Sequence, residues 1–195
     1  MDIVSFTQAV NSYQRTKDFD KERWIYIPGF ETDYRYILGT KGNNPVIVIG
    51  INPSTASPDH PDNTIKSVSR IAAGNGFDSF LMFNVYPQRT TDPAGLHKTM
   101  DVVLHEENMK AFRWLLEQQR IPPFIWAAWG TLIEKRTYLK YCLNCLIDIS
   151  KEYGSCWYQA GKTTKSGHPH HPLYLSSDEV FYKFDVGDYL NNQLW

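Results

Sequence analysis

The chain has 195 residues, 42% hydrophobic and 21% charged, with a net charge of −1. That balance is ordinary for a globular protein with a real core, and it argues against coating nucleic acid by bulk charge while leaving room for a local basic groove. No apolar run approaches the roughly 20 residues needed to cross a bilayer, MDIVSFTQAV does not read as a signal peptide, and an odd count of 3 cysteines points to a reducing, cytoplasmic setting.

In chain order, a helix is expected over Ile3–Arg15. RWIYIPGF (Arg23–Phe30) and YRYILGT (Tyr34–Thr40) read as a hairpin or edge strands, because Pro28 donates no ladder hydrogen bond. GNN turns the chain into a buried strand, Val46–Gly50. After a Pro-rich loop, DNTIKSVSRIAAGNG reads as a helix capped by Asp62 or Asn63 and ended by Gly74 or Gly76. SFLMFNVYP (Ser79–Pro87) is a second buried strand. Asp101–Arg120 has apolar residues at Val103, Leu104, Phe112, Leu115 and Leu116, a helical spacing. PFIWAAWG (Pro123–Gly130) is a third strand, TYLKYCLNCLIDISKEY a helix, and SCWYQAG (Ser155–Gly161) a fourth strand. A short helix over Asp178–Asn191 closes the fold. Cys142 and Cys145 form C-x-x-C within a helix. With Cys156 alone beside them they fall short of a metal or cluster ligand set, so buried thiols on a core face are expected.

Strands alternating with helices predict an α/β fold: a three-layer sandwich around a mainly parallel central sheet of about four strands. One α/β domain is expected over 1–195, with 1–44 forming the N-terminal helix and edge hairpin and 45–195 the core. Ligands of such folds bind beyond the carboxyl ends of the strands. The informative residues are therefore Gly50-Ile51-Asn52-Pro53, Asn84-Val85-Tyr86-Pro87, Trp129-Gly130 and the loop Gly161–Leu175. That loop, KTTKSGHPHHPLYL from Lys162 onward, offers Lys162 and Lys165 for phosphate and histidines held by stiffening prolines. No nucleotide cofactor is expected, since no G-x-G-x-x-G follows a strand and there is no P-loop.

Four segments, in order, resemble the uracil-DNA glycosylase superfamily. GINP (Gly50–Pro53) is similar to its first motif, in the form of the mismatch-specific branch. LMFN (Leu81–Asn84) resembles its strand ending in Asn, AAWG (Ala127–Gly130) its strand ending in Trp-Gly, and HPHHPLYL (His168–Leu175) its closing His-Pro loop. The resemblance runs from about Val46 to Leu190. The chain is closer still to an uncharacterised bacterial and phage family with INPSTA, DNT, NVYP and HPLY signatures, a domain of unknown function.

The resemblance implies a monofunctional DNA glycosylase that hydrolyses the N-glycosidic bond of a flipped base and leaves an abasic site, in repair or in defence against modified phage DNA. Asn52 would position the water, with Gly50, Ile51 and Pro53 shaping the pocket around it. His171, or His168 if the loop carries an insertion, would stabilise the departing base anion. Asn84 would read the Watson–Crick edge and Tyr86, on the same strand face by period-two alternation, would stack on the base. Leu173 or Tyr174 would be the wedge that enters the duplex. Strict uracil enzymes carry a bulky Tyr after the motif-one Pro; here Ser54-Thr55-Ala56 leave room at the pyrimidine C5. That suggests a 5-substituted pyrimidine, hydroxymethylated or glucosylated among the possibilities. The implied partner is DNA, with no cofactor, metal or membrane, and a monomer is expected.

Other readings stand beside these. Asn52 caps a turn, Asn84 is a satisfied buried amide, HPHH and DHPD hold a metal, Trp126 and Trp129 are core, and Lys135, Arg136 and Lys140 form a solvated helix face or touch DNA phosphate. At the level of function the alternatives are a hydrolase or transferase for free nucleosides or nucleotides, and a non-catalytic DNA-binding module.

Overall fold

A computed structural model describes residues 3–119 and 122–193. The elements, in order, are α1 (Phe6–Arg15), β1 (Trp24–Ile27), β2 (Ile37–Thr40), β3 (Pro45–Gly50), α2 (Asn63–Gly74), β4 (Ser79–Asn84), α3 (Val102–Glu117), β5 (Phe124–Ala127), α4 (Thr137–Glu152), β6 (Cys156–Ala160), β7 (Phe181–Lys183) and α5 (Val186–Gln193). Local chemistry fixes several helix starts. Ser5 and Gln8 form a capping box at α1, while Asp62 and Asp101 accept backbone N–H bonds at the starts of α2 and α3.

The strands form one seven-stranded sheet in the order β1-β2-β4-β3-β5-β6-β7. Its centre, β4-β3-β5-β6, is parallel, with Gly50 opposite Asn84 and Ile49 opposite Ala127. The α/β class therefore holds, and the strand count is corrected from about four to seven. The additions are antiparallel edges. The hairpin β1–β2 joins the sheet where Leu38 pairs with Met82, and β7 pairs with β6. β7 also corrects the closing helix, which starts at Val186 rather than at Asp178.

Alternation along the strands divides the core into two layers. Ile47, Ile49, Leu81, Phe83, Ile125 and Ala127 pack with residues of α1, α3, α4 and α5. Val46, Val48, Phe80, Met82, Trp126 and Ala128 pack with α2 alone among the helices. The chain thus leaves β3 toward one face and leaves β4 and β5 toward the other. Folds with such a reversal bind ligands beyond the carboxyl ends of the strands, which for β3 means at Gly50–Asn52.

Candidate active site

At the tip of β3 the Asn52 side-chain amide donates to the carbonyls of Pro53 (3.0 Å) and Thr90 (2.9 Å). Both bonds use Nδ2, so the group is locked and Oδ1 is left as its acceptor. The carbonyls of Gly50 and Ile51 accept the N–H groups of Val85 and Tyr86, which ties the tips of β3 and β4 together.

Asn84 ends β4 on the α2 face. It is 1% exposed, and neither its Nδ2 nor its Oδ1 has a hydrogen-bond partner. A buried amide left unpaired in this way costs about 1–3 kcal/mol. Its neighbour Gly50 makes room for it: a Cβ there would stand 2.9 Å from Asn84 Oδ1 and 2.5 Å from Met82 Cε. The Asn84 carbonyl, by contrast, is satisfied by Asn108 Nδ2 at 3.1 Å.

The loop after β3 is held by charge. Ser54 Oγ donates to Asp62 Oδ2, and the other oxygen of Asp62 caps α2 through the Ile65 N–H at 2.9 Å. Arg35 is buried and donates to the Ala56 carbonyl at 2.7 Å; Arg89 donates to the carbonyls of Ser54 and Ala56 and to the Tyr26 hydroxyl. Burial, helped by the adjacent Arg89, pushes the Arg35 guanidinium down to about 10, and Asp62 opposes that shift. Neither arginine lies in a recognisable motif. The available signal was a charged residue inside the apolar run YRYIL.

The two candidate histidines differ. His168 is fully buried, with Nδ1 2.7 Å from the Tyr189 hydroxyl and Nε2 3.1 Å from Glu134 Oε1. Trp129 Nε1 donates to the same hydroxyl at 2.9 Å. Both ring nitrogens of His168 are spent within this chain of bonds. His171 is half-buried, and its Nδ1 accepts the Leu173 N–H at 3.3 Å. An accepting Nδ1 puts the proton of the neutral ring on Nε2, so a donor is left for a ligand. Desolvation lowers its pKa and keeps it neutral, against a smaller opposing effect of Asp62. Gly130, at φ +63°, lets the loop close, since a Cβ there would meet the Cβ of His171 at 3.2 Å.

Tyr86 is corrected as a stacking residue. β4 ends at Asn84, so the period-two face does not extend to Tyr86, which lies fully buried in the opposite core layer. Its hydroxyl bonds to His97 Nδ1 (2.8 Å) and accepts the Asp101 N–H (3.0 Å). Ile51 is likewise buried in that layer and Pro53 is buried, so they shape the tip through the backbone. Leu173 and Tyr174 are 44% and 78% exposed beside His171, and Lys162 and Lys165 are exposed in the loop before it. Arg136 is not a free surface cation; it donates to the carbonyls of Ala94, Leu96 and His97. Cys142 is buried with its thiol raised to about 12 by desolvation, Cys145 is half-buried and Cys156 exposed; all are free. Among the described residues no group of three or more potential ligands is placed to hold a metal, and no helix is long and apolar enough to cross a membrane.

A protein family of unknown function, DUF1643, matches residues 35–173, more than half of the chain. The chain belongs to the DUF1643 family. No curated protein and no solved structure matches it. The likeness to the uracil-DNA glycosylase superfamily is thereby corrected: the family found is DUF1643, with no match to that superfamily. The DUF1643 match spans β2 through the His171 loop and takes in Arg35, Asn52, Asp62, Asn84 and His171.

Proposed function

We propose that this DUF1643 protein hydrolyses the N-glycosidic bond of a 5-substituted pyrimidine in DNA. The observation that carries the reading is the Asn84 amide, buried and unpartnered at the carboxyl edge of the sheet. A donor and an acceptor held side by side match the donor–acceptor edge of a nucleobase, and a ligand that pairs both recovers the cost of burying them. Three further features support it. His171 is neutral and presents a free N–H. The Asn52 amide is anchored through its nitrogen, which leaves its oxygen as an acceptor. Ser54, Thr55 and Ala56 are small, and a groove of about 440 Å³ lies beside Thr55 and Ser57.

In the reaction, water held by Asn52 Oδ1 adds to the sugar C1′ as the C1′–N1 bond breaks. The bonding electrons leave with the base, whose developing O2 anion accepts the His171 Nε2–H bond. Water supplies the C1′ hydroxyl and the proton that ends on the free base, so the reaction balances without an oxidant or a cofactor. Asn is a poor base, which places most of the acceleration on leaving-group stabilisation.

The test is incubation with DNAs carrying uracil, thymine mismatches, 5-hydroxymethyl or glucosylated pyrimidines, followed by mass detection of free base and alkali cleavage of abasic sites. Release of a 5-substituted base in preference to uracil is expected. No base released from any of these DNAs would end the proposal.

A further inference from the structure

Across the α2 face, a groove of about 690 Å³ runs between the hairpin and the outer side of α2. Three of its lining residues are cations, Arg23, Lys66 and Arg70, and no Asp or Glu lines it. None of the three belongs to an ion pair among the described residues. Arg70 Nη2 donates to Ser67 Oγ at 3.2 Å, and the Arg23 guanidinium lies 5.6 Å from the ring centroid of Trp24.

The placement is unfavourable for the helix itself. Lys66 and Arg70 stand four residues apart, a spacing at which like charges repel by a few tenths of a kcal/mol. Lys66 also lies near the positive end of the α2 dipole. They are the only charged residues in α2, in a chain whose net charge is −1. A local basic strip in a near-neutral protein fits an anionic partner. Leu173, two residues from His171, also lines it.

We propose that this groove holds the sugar–phosphate backbone of the DNA strand beside the base bound at Asn84, with Lys66, Arg70 and Arg23 on successive phosphates and Trp24 and Leu173 on its apolar faces. The identity of the strand rests on the function proposed above; the anionic polymer rests on the groove alone. Lys162 and Lys165 lie outside this groove.

The test is binding of fluorescent single-stranded and duplex oligonucleotides to the full chain across a salt series, by anisotropy, for wild type and for K66Q/R70Q and K66E/R70E. Loss of two phosphate contacts is expected to reduce the slope of log K against log salt by about 1.4–1.8. The Gln variant should weaken binding on the order of tenfold at low salt and the Glu variant more. Neither variant should lower the melting temperature, since both side chains are exposed and the Gln pair removes the like-charge repulsion within α2. An unchanged slope overturns the proposal. So does a variant that loses binding to phosphatidylserine vesicles or to polyglutamate but not to DNA. A protein that binds DNA through these residues yet releases no base keeps the groove and refutes the glycosidic reading. One that releases base with an unchanged slope in the variants does the reverse.

Discussion

The two faces of the sheet treat polar groups at the strand tips in opposite ways. On the face covered by α3, α4 and α5, the tip groups Tyr86 and Trp129 are bonded, Tyr86 to His97 and Asp101 and Trp129 to Tyr189, which in turn meets His168, while Oδ1 of Asn108 on α3 has no partner. On the α2 face the Asn84 amide has no partner, and the loop closing that side offers the free Nε2 of His171. The first arrangement specifies and stabilises a core. The second leaves hydrogen-bonding capacity unspent, which a fold tolerates where a ligand completes it.

The sharpest way to break this contrast is Asn84→Leu. Base release should fall on the order of 10³-fold, because a reading edge is lost. The melting temperature should rise, because an unpaired buried amide is replaced by an apolar group of similar size. A drop in stability would mean that the amide has a partner after all. Next is His171→Asn, whose Oδ1 can still accept the Leu173 N–H while the outward donor is gone. Turnover should fall on the order of 10²-fold with little change in folding; equal turnover would assign the anion elsewhere.

On the opposite face the signs reverse. Tyr189→Phe strands Trp129 Nε1 and His168 Nδ1, and should cost about 2–4 kcal/mol in denaturant unfolding. Turnover per folded molecule should stay within about twofold. A loss of turnover at full stability would place His168 in the chemistry. The smallest effect is on pH dependence. Burial lowers the pKa of both His171 and His105 below the ordinary value of 6.5. Above that value neither state binds the proton. As pH falls through it, the unfolded chain protonates first and stability declines until the lowered native value is passed. Melting temperatures should therefore fall from about pH 6.5 toward pH 5, and His171→Asn should make that fall shallower.

The parallel centre of the sheet was legible because β3 to β6 are apolar runs closed by Gly, Asn or Pro. β7 was not, since Phe181–Lys183 is short and mostly exposed, with no burial pattern to read. The pairing of β2 with β4 links Leu38 to Met82 and Gly39 to Leu81, far apart in the chain, and has no local signature. Within the candidate site, Asn52, Asn84 and His171 stood out as polar residues at strand tips. What sequence could not supply was whether each was already satisfied. His168 and His171 share the same His-Pro context, and only their partners separate them. Tyr86 was misread because alternation was carried past the residue where the strand ends.

Asp62 links the candidate site to the basic groove along α2. One of its oxygens begins α2 and the other holds Ser54 in the loop after β3, so the helix is pinned to the site at its first turn. Lys66 and Arg70 then stand about 6 and 12 Å along the axis from that pin, at 1.5 Å per residue. A rigid rod anchored at one end acts as a ruler. Under the proposed function this sets how far from the reacting bond each phosphate is gripped, and substrates are then expected to improve in discrete steps as flanking nucleotides are added and to stop improving once the last graduation is reached.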